Sequence, residues 1–201
     1  PVTEMVTGLD LIECMLKVAA GDELDWATLS HIQPKGAAIE VRVYAEDPAK
    51  NFQPSPGVLT EVAFPEDIRV DTWVKTGTEI SQYFDPMIAK IIVTANDRDH
   101  AIHAMQNSLS NTEIAGIETN LEYLQEIIRC EVFKQGVQTT RFLNTFEWKT
   151  QKIEVLQSGI QTAVQDVMGR LGYWDVGVPP SGAMDALSLN VANQLLDNPF
   201  N

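Results

Sequence analysis

The stretch IEVRVYAEDP at residues 39–48 decides the fold of this chain, because apolar and polar side chains alternate along its first half. Strand side chains repeat every two residues, so the alternation predicts a β-strand over residues 39–44 with Glu40 and Arg42 on one polar side. An arginine beside a carboxylate is a permanently charged donor fork suited to an anionic oxygen. A structural ion pair in a half-buried sheet explains the same spacing, so the strand alone leaves both interpretations open.

The residues around this strand predict a mixture of short strands and helices. Prolines within residues 52–57 exclude a helix or a central strand there and indicate a rigid extended turn. Strands are predicted over residues 58–64, 68–73 and 88–95, and helices over residues 7–21, over residues 97–110 and from about residue 119. Strands followed by helices indicate an α+β layer arrangement.

Capping residues set the predicted helix ends. Thr7 with Asp10, and Thr119 with Glu122, have the spacing of capping pairs, and Gly21 is the predicted stop of the first helix. The predicted apolar faces carry Leu11, Met15 and Val18 on the first helix and Ile102, Met105 and Leu109 on the second.

Composition restricts the partners of the chain. Its 201 residues carry a net charge of -14, and 44% of them are hydrophobic, enough for one sizeable core and part of a second. The acidic excess disfavours nucleic acid and anionic membranes as partners. Cys14 and Cys130 are isolated thiols, which favours a reducing compartment and a cytoplasmic location. His100 and His103 lie one helical turn apart without a third ligand, so a solvated helix face is expected and no metal site.

Four motifs, at residues 1–11, 39–48, 52–57 and 83–90, together resemble the biotin carboxylase family in order and spacing. The resemblance extends to about residue 145 and implies the C-terminal domain of that family, an antiparallel sheet with packed helices. It also implies that Arg42 is catalytic and binds biotin. The guanidinium would contact the ureido oxygen and stabilise the enolate that forms when the N1 proton is removed.

The same resemblance implies roles for two more residues of this chain and the location of the remaining active-site groups. It places Asp85 near the biotin site, where it would orient the arginine, although Asp85-Pro86 is equally explained as a turn. It places Arg69 at a dimer interface beside the biotin approach. In the family, the groups that bind ATP and Mg²⁺ and the glutamate base for bicarbonate precede the position of Pro1. These ligands are therefore expected outside this chain, which alone would be inactive.

The tail has a different pattern. Residues 158–201, with the series GVPPSGAMD at residues 177–185, resemble the start of the carboxyltransferase domain of urea carboxylases, a region related to part of bacterial 5-oxoprolinase. The expected tail is β-rich and truncated, with a helix beginning near Asp185. The expected organisation is the end of an ATP-grasp region at residues 1–30, a biotin carboxylase C-terminal domain at 31–147, a linker at 148–157 and the carboxyltransferase start at 158–201.

The two resemblances together imply a fragment of a biotin-dependent carboxylase of the urea carboxylase or urea amidolyase type. Such an enzyme carboxylates biotin with ATP, Mg²⁺ and bicarbonate and then transfers the carboxyl group from carboxybiotin to urea, giving allophanate. A biotin carrier domain and a second copy in a homodimer are the expected partners. Two alternatives stay open: a carboxylase for an acyl-CoA or another amide, and, for the isolated chain, a non-catalytic module for dimerisation and carrier docking.

Overall fold

The computed structural model describes residues 1–148 and 185–196, together with the single positions 157 and 177. The chain forms two compact units, Pro1–Gln151 and Lys152–Asn201. The described helices are α1 (Val2–Thr7), α2 (Leu11–Ala20), α3 (Trp26–Leu29), α4 (Arg98–Ser110), α5 (Leu121–Arg129), α6 (Glu131–Lys134) and α7 (Ala186–Leu195). The strands are β1 (Ala37–Tyr44), β2 (Glu46–Asp47), β3 (Gln53–Pro54), β4 (Gly57–Val58), β5 (Glu61–Ala63), β6 (Arg69–Thr72), β7 (Glu79–Ile80), β8 (Met87–Ala95) and β9 (Glu113–Ala115).

The first unit is built on a three-stranded antiparallel sheet with the order β1-β8-β6. The predicted strand at residues 39–44 is confirmed as the larger part of β1. Val41 and Val43 point into the core, while Glu40 and Arg42 lie on the opposite side, as the alternation predicts. Three two-stranded antiparallel ladders, β2-β3, β4-β7 and β5-β9, complete the strands of this unit that the structure describes.

Helix α4 contributes the largest helical share of the core. Asp97 begins the helix by accepting a hydrogen bond from the backbone N–H of His100 at 2.9 Å. Ile102, Met105 and Leu109 are buried, so the predicted apolar face of this helix is confirmed. These side chains pack with the inward residues of β1 and β8 in one core cluster.

The prediction for the first helix is wrong at its start. Thr7 ends α1, and its hydroxyl donates to the carbonyl of Thr3 at 2.6 Å. Gly8 then takes a left-handed conformation with φ 72°, and Asp10 is the N-cap of α2 through the N–H of Glu13. Two short helices replace one long helix because this glycine turns the chain between them, whereas the predicted stop at Gly21 is confirmed.

Two further local predictions are corrected. The strand predicted over residues 58–64 is divided, because the chain changes partners at its centre. The N–H of Leu59 donates to Thr78 beside β7, and the N–H of Thr60 donates to Ala115 of β9. The capping pair of Thr119 with Glu122 is also wrong, since α5 begins one residue later, with Asn120 in the N-cap position.

The predicted α+β class, with an antiparallel sheet and packed helices, is confirmed for the first unit. In the second unit, Asp185 caps α7 by accepting from the N–H of Ser188 at 3.0 Å, which confirms a helix beginning near Asp185. The β-rich character predicted for the rest of the tail concerns residues outside the described part. No helix within the described residues is long and apolar enough to cross a membrane.

Candidate functional site

Arg42 lies on the polar face of β1 and is largely accessible. Its side chain is 59% exposed, and its Nε donates to Oε1 of Glu40 at 3.4 Å. The phenol of Tyr44 and the carboxylate of Glu40 raise the pKa of Arg42 above its ordinary value, with the larger effect from Tyr44. The guanidinium is therefore always charged and keeps free donors for an anionic oxygen.

Glu40 is the less exposed partner of this pair, with a half-buried side chain that is 13% exposed. Burial opposes its ionisation, whereas the guanidinium of Arg42, with its Nε 3.4 Å from Oε1, favours it. A half-buried carboxylate beside an exposed arginine holds the base of the guanidinium and leaves the tip free.

Register places a second cation beside Arg42. Lys90 of β8 lies directly opposite Arg42 of β1, and on its other side it faces Asp71 of β6. Like charges opposite each other are unfavourable in a sheet, so the neighbouring carboxylates are needed to offset this pair. From the sequence, Lys90 is expected to have only a local structural role. Its position beside Arg42 becomes apparent from the register of β8 against β1.

Arg69 is held inside its own unit by two carboxylates. Its Nε and Nη2 donate to the two carboxylate oxygens of Asp71 at 2.9 and 3.2 Å, and its Nη1 donates to Glu4 of α1 at 2.9 Å. These partners raise the pKa of Arg69, and Arg69 in turn lowers the pKa of Asp71. A cleft of about 430 Å³ lies beside it, between α4 and the sheet. The predicted role of Arg69 at a dimer interface stays a prediction.

Asp85 stands at the turn that enters β8. Its Oδ1 accepts a hydrogen bond from the N–H of Met87 at 2.8 Å, which is the turn role considered for Asp85-Pro86. Within the described part of the chain, no hydrogen bond or ion pair joins Asp85 to Arg42. Burial, and secondarily the charge of Asp85, raise the pKa of Glu46. The proposed orienting role of Asp85 toward Arg42 stays a prediction.

Asn120 makes a contact with the arginine strand that sequence reasoning missed. Its Oδ1 accepts from the N–H of Tyr44 at 2.9 Å, and its Nδ2 donates to the carbonyl of Arg42 at 3.1 Å. Its own N–H donates to the carbonyl of Tyr44 at 3.2 Å. Sequence offers little signal for this contact, because 76 to 78 positions separate the partners.

Loops also converge on the end of β1. The N–H of Ala45 donates to the carbonyl of Pro86 at 2.8 Å, and the carbonyl of Ala45 accepts from the N–H of Ser55 at 2.9 Å. The hydroxyl of Ser55 accepts from the N–H of Glu118 at 2.9 Å. The end of β1 is thus joined through Ala45 to the segments around Ser55 and Pro86, and through Ser55 to Glu118. Among residues 1–148 and 185–196, no cluster of three or more His, Cys, Asp and Glu side chains is arranged to hold a metal ion.

The family model named biotin carboxylase C-terminal domain matches residues 40–145. The chain belongs to the biotin carboxylase C-terminal domain family. This match contains Arg42, Arg69, Asp85 and Asn120, whereas Glu4 of α1, which holds Arg69, lies before it.

Similarity to individual proteins extends beyond this domain. The chain is 50% identical to the urea amidolyase of Lachancea kluyveri over 200 residues, all of this chain and 11% of that protein. The crystal structure of the Kluyveromyces lactis urea carboxylase superposes with a TM-score of 0.79 at 50% identity, covering 97% of this chain and 17% of the other. The biotin carboxylase domain dimer of Hydrogenobacter thermophilus 2-oxoglutarate carboxylase, in complex with MgADP, ADP and bicarbonate, gives a TM-score of 0.68 at 38% identity and covers 72% of this chain and 32% of the other. The chain therefore spans only a small part of each of these relatives.

Proposed function

We propose that this chain is part of a biotin-dependent carboxylase that uses ATP and bicarbonate to carboxylate urea. The observation that carries the proposal is the extent of the similarity. The urea amidolyase and urea carboxylase relatives match 97–100% of the chain, including residues after the biotin carboxylase domain, whereas the 2-oxoglutarate carboxylase domain matches 72%. The residues beyond the shared domain thus favour urea as the carboxyl acceptor.

In the proposed reaction, ATP with Mg²⁺ and bicarbonate supplies a carboxyl group to biotin, and this group then passes to urea to give allophanate. The related domain in complex with MgADP and bicarbonate supports the first half of this reaction. A biotin carrier domain would bring the biotin to the polar face of the sheet. A homodimer is proposed because that related domain is described as a dimer, and a cytoplasmic location is proposed from the two isolated thiols.

Arg42 is the residue that we assign to the biotin ureido oxygen. Its exposed tip, fixed base and permanent charge fit an oxygen that is neutral before the reaction and becomes negative as the ring nitrogen loses its proton. A donor whose base is already held near this oxygen would need less reorganisation when the charge develops. Lys90, directly opposite on β8, would add positive potential to the same place.

The proposed domain boundaries follow the sequence motifs. Residues 1–30 would close an ATP-grasp region, residues 31–147 would be the biotin carboxylase C-terminal domain, residues 148–157 a linker and residues 158–201 the start of a carboxyltransferase domain. Asp85 would orient Arg42 or contact biotin once biotin is bound, and Arg69 would support the dimer interface.

The test is a steady-state assay of the full-length enzyme. We expect ATP hydrolysis that depends on urea and bicarbonate and is abolished by avidin, because avidin would sequester the biotin of the carrier domain. Acyl-CoA substrates are the matched comparison. Stimulation by an acyl-CoA but not by urea would contradict the urea assignment while leaving the biotin carboxylase assignment intact, whereas insensitivity to avidin would contradict both.

A further inference from the structure

We propose that Asn120 is a positioning residue that fixes the strand backbone beneath Arg42, an inference that rests on the proposed role of Arg42. Asn120 is only 6% exposed, although asparagine side chains are mostly found at protein surfaces. A buried amide must find partners for its oxygen and its nitrogen, and both partners here are backbone atoms of β1.

The side chain of Asn120 bonds to β1 and makes no capping hydrogen bond to its own helix. Asn120 occupies the N-cap position of α5, where an asparagine oxygen ordinarily accepts from a backbone N–H two or three residues later. No such cap bond forms from its side chain in this helix. The amide instead reaches a strand 76 to 78 positions earlier in the chain.

The three hydrogen bonds between Asn120 and the backbone of β1 take the place of those that a neighbouring strand would make. Among the strands that the structure describes, β8 alone pairs with β1, which leaves the other edge of β1 open. On its open edge, the carbonyl of Arg42 and both backbone groups of Tyr44 are satisfied by Asn120. The register with β8 shifts between Val43 and Tyr44, so the ladder on the other edge is irregular at this point. Asn120 therefore supports the strand where its regular pairing ends.

This support controls the direction of the Arg42 side chain. The guanidinium interacts with Glu40, at a long distance of 3.4 Å, and with Tyr44, and both lie on its own strand. The backbone position of β1 therefore contributes strongly to where its tip lies. A displacement of about 1 Å at a group that must meet a reacting atom can reduce a rate about 100-fold. Loss of the Asn120 amide should therefore reduce turnover by misplacing Arg42.

A double-variant cycle in the full-length enzyme tests this mechanism. We expect Asn120→Ala to lower kcat for bicarbonate-dependent, biotin-dependent ATP hydrolysis by about 10- to 100-fold with an unchanged KM for ATP. Arg42→Ala should lower kcat by about 100- to 1,000-fold. Adding Asn120→Ala to Arg42→Ala should then change kcat by less than about twofold, because a residue that acts through Arg42 has nothing left to position.

Gln125→Ala is the matched control. Gln125 is another side-chain amide of α5, but its Nε2 donates to the carbonyl of Leu109 at the end of α4, at 3.0 Å. It should lower thermal stability without a change in kcat. If Asn120→Ala does not fold, Asn120→Asp replaces it in the cycle, because the aspartate keeps the acceptor for Tyr44 but cannot donate to the carbonyl of Arg42 and adds a negative charge there.

The possible failures are distinguishable. Normal turnover of Arg42→Ala would contradict the role assigned to Arg42 under the proposed function. With Arg42→Ala impaired, a normal kcat for the Asn120 variant, or a full additional loss in the double variant, would overturn the positioning role of Asn120 alone.

Discussion

At the scale of single residues, the site depends on how one charged side chain is anchored at its base and left free at its tip. Glu40 is half-buried and contacts Arg42, whose guanidinium remains accessible. The desolvation cost of the carboxylate is opposed by the attraction of the Arg42 guanidinium. A less constrained arginine would have to be ordered by the substrate at a cost in side-chain entropy.

For Asp85, one substitution can separate the turn role from the proposed orienting role toward Arg42. Asp85→Asn retains the oxygen that accepts from the N–H of Met87, so the turn should persist, but the negative charge is lost. Since a hydrogen bond to a charged group contributes about 1.5–3 kcal/mol, we expect kcat for biotin carboxylation to fall at least about tenfold with unchanged thermal stability. Asp85→Ala, which removes both functions, should also lower the stability. Wild-type kcat in Asp85→Asn would leave this residue with the turn role alone.

At the scale of elements, charged side chains lie side by side across the polar face of strands β1, β8 and β6. Arg42, Lys90 and Asp71 form one cross-strand row, and Arg69 lies at the β6 end of the neighbouring row. Asp71 accepts two hydrogen bonds from Arg69, so this carboxylate stabilises both its own strand and the contact with α1 that Arg69 makes. Disturbing Asp71 should therefore affect the packing of α1 against the sheet.

Asp71 also predicts a pH dependence of stability. The hydrogen bonds from Arg69 lower its folded pKa below the value of about 3.9 of an unfolded chain, so its stabilising contribution is present above that value and is lost as the pH falls through the folded pKa. Asp71→Asn should lower the free energy of unfolding at pH 7, and the difference from wild type should shrink below about pH 4. Urea unfolding of the 201-residue chain at both pH values measures this. Glu66→Gln, at an exposed position before β6, is the control, and a pH-independent difference for Asp71→Asn would contradict the prediction.

Elements with a local pattern could be predicted, and elements that depend on distant partners could not. Strand β1 and helix α4 follow from alternation and from the spacing of Ile102, Met105 and Leu109, because period and burial are encoded within a few residues. The division of the strand at residues 58–64 depends on which strand lies beside it. The amide of Asn120 was likewise unpredictable, because a capping position in sequence does not reveal that the side chain will bind another strand.

At the scale of the whole molecule, the sequence motifs identified the family and placed Arg42 on an accessible polar face, but they could not supply its surroundings. Lys90 beside Arg42 is a consequence of strand register, and register is fixed by the packing of the complete sheet. The order of the motifs along the chain carries no such information. The tail of the chain, by contrast, favours urea as the acceptor through similarity and not through any geometry of the site.

Helix α2 exposes its apolar face, and this exposure affects how the whole chain behaves in solution. Its apolar face was predicted from Leu11, Met15 and Val18, yet these side chains are exposed, Met15 by 66%, and Ile12 and Leu16 lie beside them. A contiguous exposed apolar surface of this kind promotes association. We therefore expect the 201-residue chain to self-associate through α2, reversibly and increasingly with salt, because salt screens the repulsion between chains of net charge -14.

Replacing the centre of this surface tests that expectation. Ile12→Glu combined with Leu16→Glu should shift the chain toward monomer in sedimentation velocity at high salt, since both substitutions place charge where apolar contact is needed. Lys17→Glu changes the net charge by the same two units on the same helix but leaves the apolar surface intact, so it should retain most of the association at high salt. Equal dissociation by both variants would show that net charge, and not the apolar face of α2, governs the association.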